Sequence, residues 1–192
     1  MTTPPHARRD STTDRPPAHR TPHAGFGTVD DVTAHFEAPH PFEVTHPHAL
    51  AVYCSDGRFT QSVEDLLAHI GHGRLDTLTI PGGPAVLNHM SAAYADADVI
   101  SRAAAFLIKS HAITEVVLLA HEGCGYYRQK RPSDTPEQIF ARQIDDLRAA
   151  AKTLRRSTPE LDVHLYYSRI VEKVVRFEQI ALTGATSSAR RG

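Results

Sequence analysis

Cysteine is scarce: the 192 residues hold two, Cys54 and Cys124, which excludes the disulfide-dense frameworks of small secreted domains. No apolar run approaches the roughly 20 residues that a membrane-spanning helix requires. An excess of one charge sign is missing too. Lys and Arg number 21 against 22 Asp and Glu, a formal net charge of −1, so no bulk field draws the chain to nucleic acid or to an anionic membrane. The glycines match neither nucleotide-binding fingerprint, and no Lys-Ser or Lys-Thr follows the loop Pro81-Gly82-Gly83-Pro84. No internal repeat and no secretory signal is visible, and a cytoplasmic protein acting on a small molecule is expected. The 41% of hydrophobic residues is enough for a real core.

Residues 1–24 are rich in Pro, Thr, Arg and His and hold almost no large apolar side chain, so they cannot offset the entropy of ordering. They are expected to be a disordered tail, as are residues 183–192, leaving one domain over 25–182. Thr28 starts a short amphipathic helix carrying Val29, Val32 and Phe36, with Asp30 and Asp31 in its first turn and Pro39 beyond its end. At about ten residues, Thr28 to Glu37, it is too short to stand alone and must dock, on its own domain or on a partner subunit.

His46 and His48 precede the apolar run Ala49–Tyr53, the first strand, as partly exposed loop residues, with proton relay the alternative. Behind a Thr60 or Ser62 cap, Val63, Leu66, Leu67 and Ile70 recur at helical spacing, and Gly71 stops the helix. Leu75–Ile80 is a second strand. In the loop that breaks it, Gly82 and Gly83 allow either a close backbone approach to a ligand or a rigid turn. A helix over Asp98–His111 presents Val99, Ala103, Phe106 and Leu107 on one face and leads to the run Val116–Ala120. Tyr126 and Tyr127 are pocket or interface aromatics, and Arg128-Gln129-Lys130-Arg131 is a solvated loop.

Thr135-Pro136-Glu137-Gln138 is a capping box with proline at the first helical position, and the helix behind it carries Phe140, Ile144, Leu147, Ala151 and Leu154 on one face. Leu161–Tyr167 and Val174–Glu178 alternate as two strands joined by a short turn. The order implies an α/β fold: a mostly parallel central sheet flanked by helices, with an antiparallel C-terminal edge strand.

Chemistry concentrates where two apolar runs end. Cys54-Ser55-Asp56-Gly57-Arg58 gathers a thiol, a carboxylate and a guanidinium after the first, and His121-Glu122-Gly123-Cys124 follows the third. If those runs are adjacent parallel strands, their carboxyl ends lie side by side, where open α/β sheets build sites. Two thiolates and an imidazole then converge, a three-ligand set suited to Zn2+ with one position open. A disulfide or two unrelated buried thiols are the alternatives.

The pattern C-x-D-x-R, a glycine loop after the next strand, and H-x-x-C-G resembles the β-class carbonic anhydrases, over about Ala49 to Ile180. The resemblance implies a zinc lyase that hydrates carbon dioxide reversibly, with Cys54, His121 and Cys124 as metal ligands. Asp56, paired with Arg58, would then either accept a hydrogen bond from the nucleophile or swing onto the metal as a fourth ligand. Gly82, Gly83 and Tyr126 are candidates for the substrate pocket. The resemblance also implies a homodimer or higher homo-oligomer, with the N-terminal helix packed on the partner. One departure is plain: the family usually carries an Arg-Asn-Ala-Gly-like loop where this chain reads Pro81-Gly82-Gly83-Pro84. Hydrolysis of carbonyl sulfide or carbon disulfide on the same scaffold, and a non-catalytic zinc-stabilised binding module, are the rival functions.

Overall fold

A computed structural model describes residues 36–88, 90 and 94–183. The N-terminal tail, most of the expected helix from Thr28, and residues 184–192 lie outside the described residues. The chain divides after Phe42. Residues 36–42 are exposed and irregular, and every helix and strand among the described residues belongs to the second unit.

Five strands form one sheet in the order β2-β1-β3-β4-β5. β1 (Ala49–Tyr53) pairs in parallel with β2 (Asp76–Thr79) on one side and β3 (Glu115–His121) on the other. β4 (Asp162–Val171) lies parallel to β3, and β5 (Val174–Ile180) closes the sheet as an antiparallel edge. Glu172 and Lys173 make the β4–β5 turn with φ of 50° and 70°, the two left-handed central residues that a tight hairpin turn needs. This is the α/β sheet with an antiparallel edge that the pattern implied.

β1 and most of β3 read as unbroken apolar runs because both faces are covered. Leu50, Val52, Val116, Leu118, Val163 and Leu165 face one layer, formed with α2 (Tyr94–Ser110) and α4 (Pro136–Ser157). Ala51, Tyr53, Val117 and Leu119 face the other, formed with Phe59 and with Val63 and Leu67 of α1 (Thr60–His69). In α4 the capping box is complete: Gln138 N–H donates to Thr135 Oγ1, and Thr135 N–H donates to Gln138 Oε1.

Three local expectations change. The residue capping α1 is Phe59, which gives no side-chain hydrogen bond but fills the core against α1. In α2 the buried side is Ala97, Ala104 and Ile108, with Ile100 and Leu107 packed beside them, while Val99 and Phe106 are 53% and 63% exposed. That helix carries apolar residues on two sides, so periodicity alone could not say which side meets the sheet. Finally, Arg128-Gln129-Lys130 are helical, in α3 (Gly125–Lys130), whose one buried residue is Tyr127. A single anchoring residue in a six-residue helix leaves no period to detect.

Candidate metal centre

β1 and β3 are neighbours in register, Val52 opposite Leu118, so the residues that follow them emerge together. Cys54 leaves β1 with its pairing to the second strand continued, Ile80 N–H to Tyr53 O and Ser55 N–H to Ile80 O, both at 3.2 Å. His121 is the last residue of β3, and Glu122 N–H still donates to Ser168 O of β4 at 2.8 Å. Gly123, at φ +69°, then turns the chain so that Cys124 stands at the start of α3.

Cys54, His121 and Cys124 are all buried, and one donor atom from each lies within 4.8 Å of the others. The two sulfur atoms are 3.8 Å apart and the cysteines are free. A disulfide would hold them at about 2.05 Å. Two sulfurs each about 2.3 Å from one tetrahedral zinc stand about 3.8 Å apart, so the spacing fits a shared ion. The imidazole fits as well. His121 Nδ1 is 2.9 Å from Glu122 O; a carbonyl only accepts, so Nδ1 carries the proton and Nε2 the lone pair. That Nε2 is buried and has no hydrogen-bond partner among the described residues. A buried lone pair without a donor is costly, and a metal ion would satisfy it. The Phe59 ring lies 4.2 Å from that of His121, centroid to centroid, tilted by 40°.

The thiols influence one another. A hydrogen bond with Cys124 holds the Cys54 thiol well below its usual range against the opposing effect of burial. The same pairing, together with burial, pushes Cys124 up.

Asp56 lies beside this trio in a closed turn, Phe59 N–H donating to Asp56 O at 3.0 Å. Arg58 donates to both its oxygens, Nε to Oδ1 at 2.9 Å and Nη2 to Oδ2 at 2.5 Å, and its backbone N–H adds a third bond to Oδ1 at 3.2 Å. These bonds hold the carboxyl down to about 2, so it is ionised at neutral pH.

Gly82 and Gly83 make a tight turn at φ +87° and +53°, entering a 3-10 turn over Gly83–Leu87. A β-carbon on Gly83 would sit 2.8 Å from the Cys54 nitrogen, and one on Gly82 2.6 Å from the Tyr126 ring. The close approach that the glycines permit is thus to the protein itself, against the thiol-bearing segment and against Tyr126. Tyr126 packs beside both cysteines, Ala85 and Tyr127, with Lys130 Nζ 4.9 Å from its ring centroid. His46 and His48 are at the amino end of β1, where His46 stacks on His111 at 3.9 Å and His48 Nδ1 lies 3.1 Å from Ala112 O. A five-residue strand, about 17 Å, separates them from Cys54, which removes a relay to the centre.

Sequence reasoning missed Phe59, and it missed two buried polar residues of α4. Gln143 Nε2–H donates to His121 O at 2.8 Å and its Oε1 accepts from Tyr167 Oη at 3.2 Å. Asp146 accepts from Tyr127 Oη at 2.5 Å and from Asn88 Nδ2 at 2.7 Å. The available signal was two polar residues, three apart, inside an apolar helical stripe.

Residues 44–181 match the model of a family described as "Putative carbonic anhydrase". No curated protein matches the chain. Among solved structures it is similar to the β-carbonic anhydrase CafA of Aspergillus fumigatus, at 16% identity over 73% of this chain and 78% of that one, with a TM-score of 0.47. It is also similar to β-carbonic anhydrase isoform I of Trichomonas vaginalis, at 16% identity over 73% and 87% and a TM-score of 0.47. A third is one of two tetrameric β-carbonic anhydrases from Sordaria macrospora, at 15% identity over 71% and 82% and a TM-score of 0.46. No helix among the described residues is long and apolar enough to cross a membrane.

Proposed function

Because the chain belongs to that carbonic anhydrase family over residues 44–181, we propose that it is a zinc lyase that hydrates carbon dioxide reversibly to bicarbonate. The observation that carries this reading is the buried trio of Cys54, His121 and Cys124, with its 3.8 Å sulfur separation and the unpartnered His121 Nε2. When bound there, zinc supplies Lewis acidity, which lowers the pKa of water at its open position.

The chain's own residues do the rest. Glu122 O fixes the His121 tautomer by accepting from Nδ1, so the lone pair stays on Nε2. Two cysteine sulfurs offset the cation's charge, so acidification of water is weaker than in a three-histidine site. Asp56, ionised and held by Arg58, offers an acceptor for a hydrogen bond from the attacking oxygen, which orients it toward a linear substrate. With both Asp56 oxygens engaged by Arg58, the carboxylate is kept from becoming a fourth ligand. Tyr126, seated on Gly82 and packed against the cluster that contains both cysteines, supports a pocket wall of Gly82, Gly83 and Tyr126. Exposed Val99 and Phe106 on α2 support assembly into a homodimer or higher homo-oligomer.

The test is elemental analysis followed by stopped-flow proton release with carbon dioxide. One zinc per chain and rapid release are expected. Pro81-Gly82-Gly83-Pro84 in place of the family's usual loop favours carbonyl sulfide or carbon disulfide as the second reading, and the same assay with those substrates decides between them. Zinc without turnover of any of the three would leave a zinc-stabilised binding module. Protein prepared under reducing conditions that holds no zinc would overturn the reading.

A further inference from the structure

The three candidate ligands sit on two segments, Cys54 after β1 and His121 to Cys124 at the end of β3, and two residues of one helix are hydrogen-bonded beside both. Gln143 and Asp146 are one turn apart on α4 and only 1% and 4% exposed. Gln143 reaches the main chain of His121 itself. Asp146 reaches Tyr127, three residues beyond Cys124 in α3, and Asn88, which follows the 3-10 turn whose Gly83 lies against the Cys54 backbone. Ala85 of that turn and Tyr127 belong to one buried cluster with the two cysteines. One carboxylate thus ties the segment that follows Cys124 to the segment that lies against Cys54, while the amide one turn earlier holds the main chain of the histidine.

An ordinary core helix would place apolar residues at both positions. Replacing well-satisfied buried polar groups by apolar ones of similar shape is often neutral for stability, so stability alone gives no reason for them here. We propose that Gln143 and Asp146 are the positioning residues of the metal centre: through His121 O, Tyr127 and Asn88 they set the separation of the two sulfurs and the imidazole, and with it zinc affinity and coordination geometry. Residues that orient ligands in this way typically change metal affinity about 10–100-fold when altered. The inference rests on the zinc reading above and deepens it.

The experiment compares full-length wild type with Gln143→Met, Asp146→Asn and Tyr127→Phe, and with Leu147→Ala as a control in the same helix. Leu147 is fully buried and contributes packing only. Zinc dissociation constants are measured by competition with a chromophoric chelator, Co(II)-substituted absorption spectra are recorded, and thermal unfolding of the metal-free forms is followed. The three polar variants are expected to bind zinc about 10-fold or more weakly and to shift the Co(II) ligand-field and sulfur-to-metal charge-transfer bands. Leu147→Ala should lose stability in the metal-free form and, once loaded, show the wild-type spectrum. Polar variants that behave like Leu147→Ala, less stable but with unchanged affinity and bands, would overturn the positioning role alone. Should Asp146→Asn fail to fold, Tyr127→Phe, which removes one hydroxyl, decides its arm by the same two readouts. Wild type that takes up neither zinc nor cobalt would sink the zinc reading itself, and this inference with it.

Discussion

Arg58 grips both oxygens of Asp56, with Nε 2.9 Å from Oδ1 and Nη2 2.5 Å from Oδ2, and Asp56 stands two residues beyond the buried Cys54 thiol. The guanidinium is 70% exposed, so the pair contributes little to stability. Its consequence is orientation. A carboxylate two residues from a candidate metal ligand, if released, is a hard ligand that can close the site.

Arg58→Ala therefore tests the division of labour. Hydration of carbon dioxide is expected to fall at least about 100-fold, the low end for loss of an oriented acid–base group, while zinc content stays near one per chain. X-ray absorption at the zinc edge should gain a carboxylate oxygen. Wild-type rates with an unchanged edge would show the pair to be structural.

Stripping zinc should destabilise the fold, because the site forms only when β1 and β3 are paired. At free zinc about 1,000 times the dissociation constant, binding adds about 4 kcal/mol. For a domain of this size that is about 8–16 °C in thermal midpoint. Cys124→Ser should start near the metal-free midpoint and respond little to added zinc, which differential scanning calorimetry reads directly.

The two glycines of the Pro81–Pro84 loop should differ in cost. Both have positive φ, so alanine at either carries about 1–2 kcal/mol of backbone strain. At Gly82 the obstacle is the Tyr126 ring, a side chain that can swing away; at Gly83 it is the Cys54 backbone, which cannot. Urea unfolding should rank Gly83→Ala below Gly82→Ala, with only the former lowering zinc occupancy. Equal midpoints and equal zinc content would mean that the turn relaxes as a unit.

Alkaline stability should depend on Tyr167. Burial, reinforced by Glu122, pushes its hydroxyl up to about 12, against about 10 in an unfolded chain. The folded state thus favours the neutral phenol: its contribution is complete below pH 10 and is lost as pH rises to 12. Tyr53 and Tyr127 are raised too. In Tyr167→Phe the fall in unfolding free energy over pH 10–12 should be shallower by up to about 1.4 kcal/mol per pH unit, even though the variant starts lower because Gln143 Oε1 has lost its donor. A slope identical to wild type would remove Tyr167 as its source.

Much of this was legible without coordinates, for reasons that stay within a few residues of chain. The β1 and β3 runs announced strands buried on both faces, and Thr135 with Gln138 announced the start of α4. C-x-D-x-R announced a carboxylate within reach of its own arginine. The face of α2 was not legible, because apolar residues on two sides leave the choice to whatever the helix packs against. Nor was α3, which is held by Tyr127 alone.

What the sequence by itself determined is the inventory of the site: two thiols and an imidazole at the ends of apolar runs, a paired carboxylate, and glycines where the backbone must turn. A residue's chemistry and its contacts with near neighbours in the chain are local properties, set by side-chain type and short loops. Only the tertiary structure decided that β1 lies beside β3, which brings Cys54 to Cys124 across 70 residues of sequence. It decided also that Gln143 and Asp146 face the centre. Those contacts depend on strand order and on the rotation of a helix about its axis, and both are chosen by the packing of the whole core, where many alternative pairings of equal local merit compete and burial selects one.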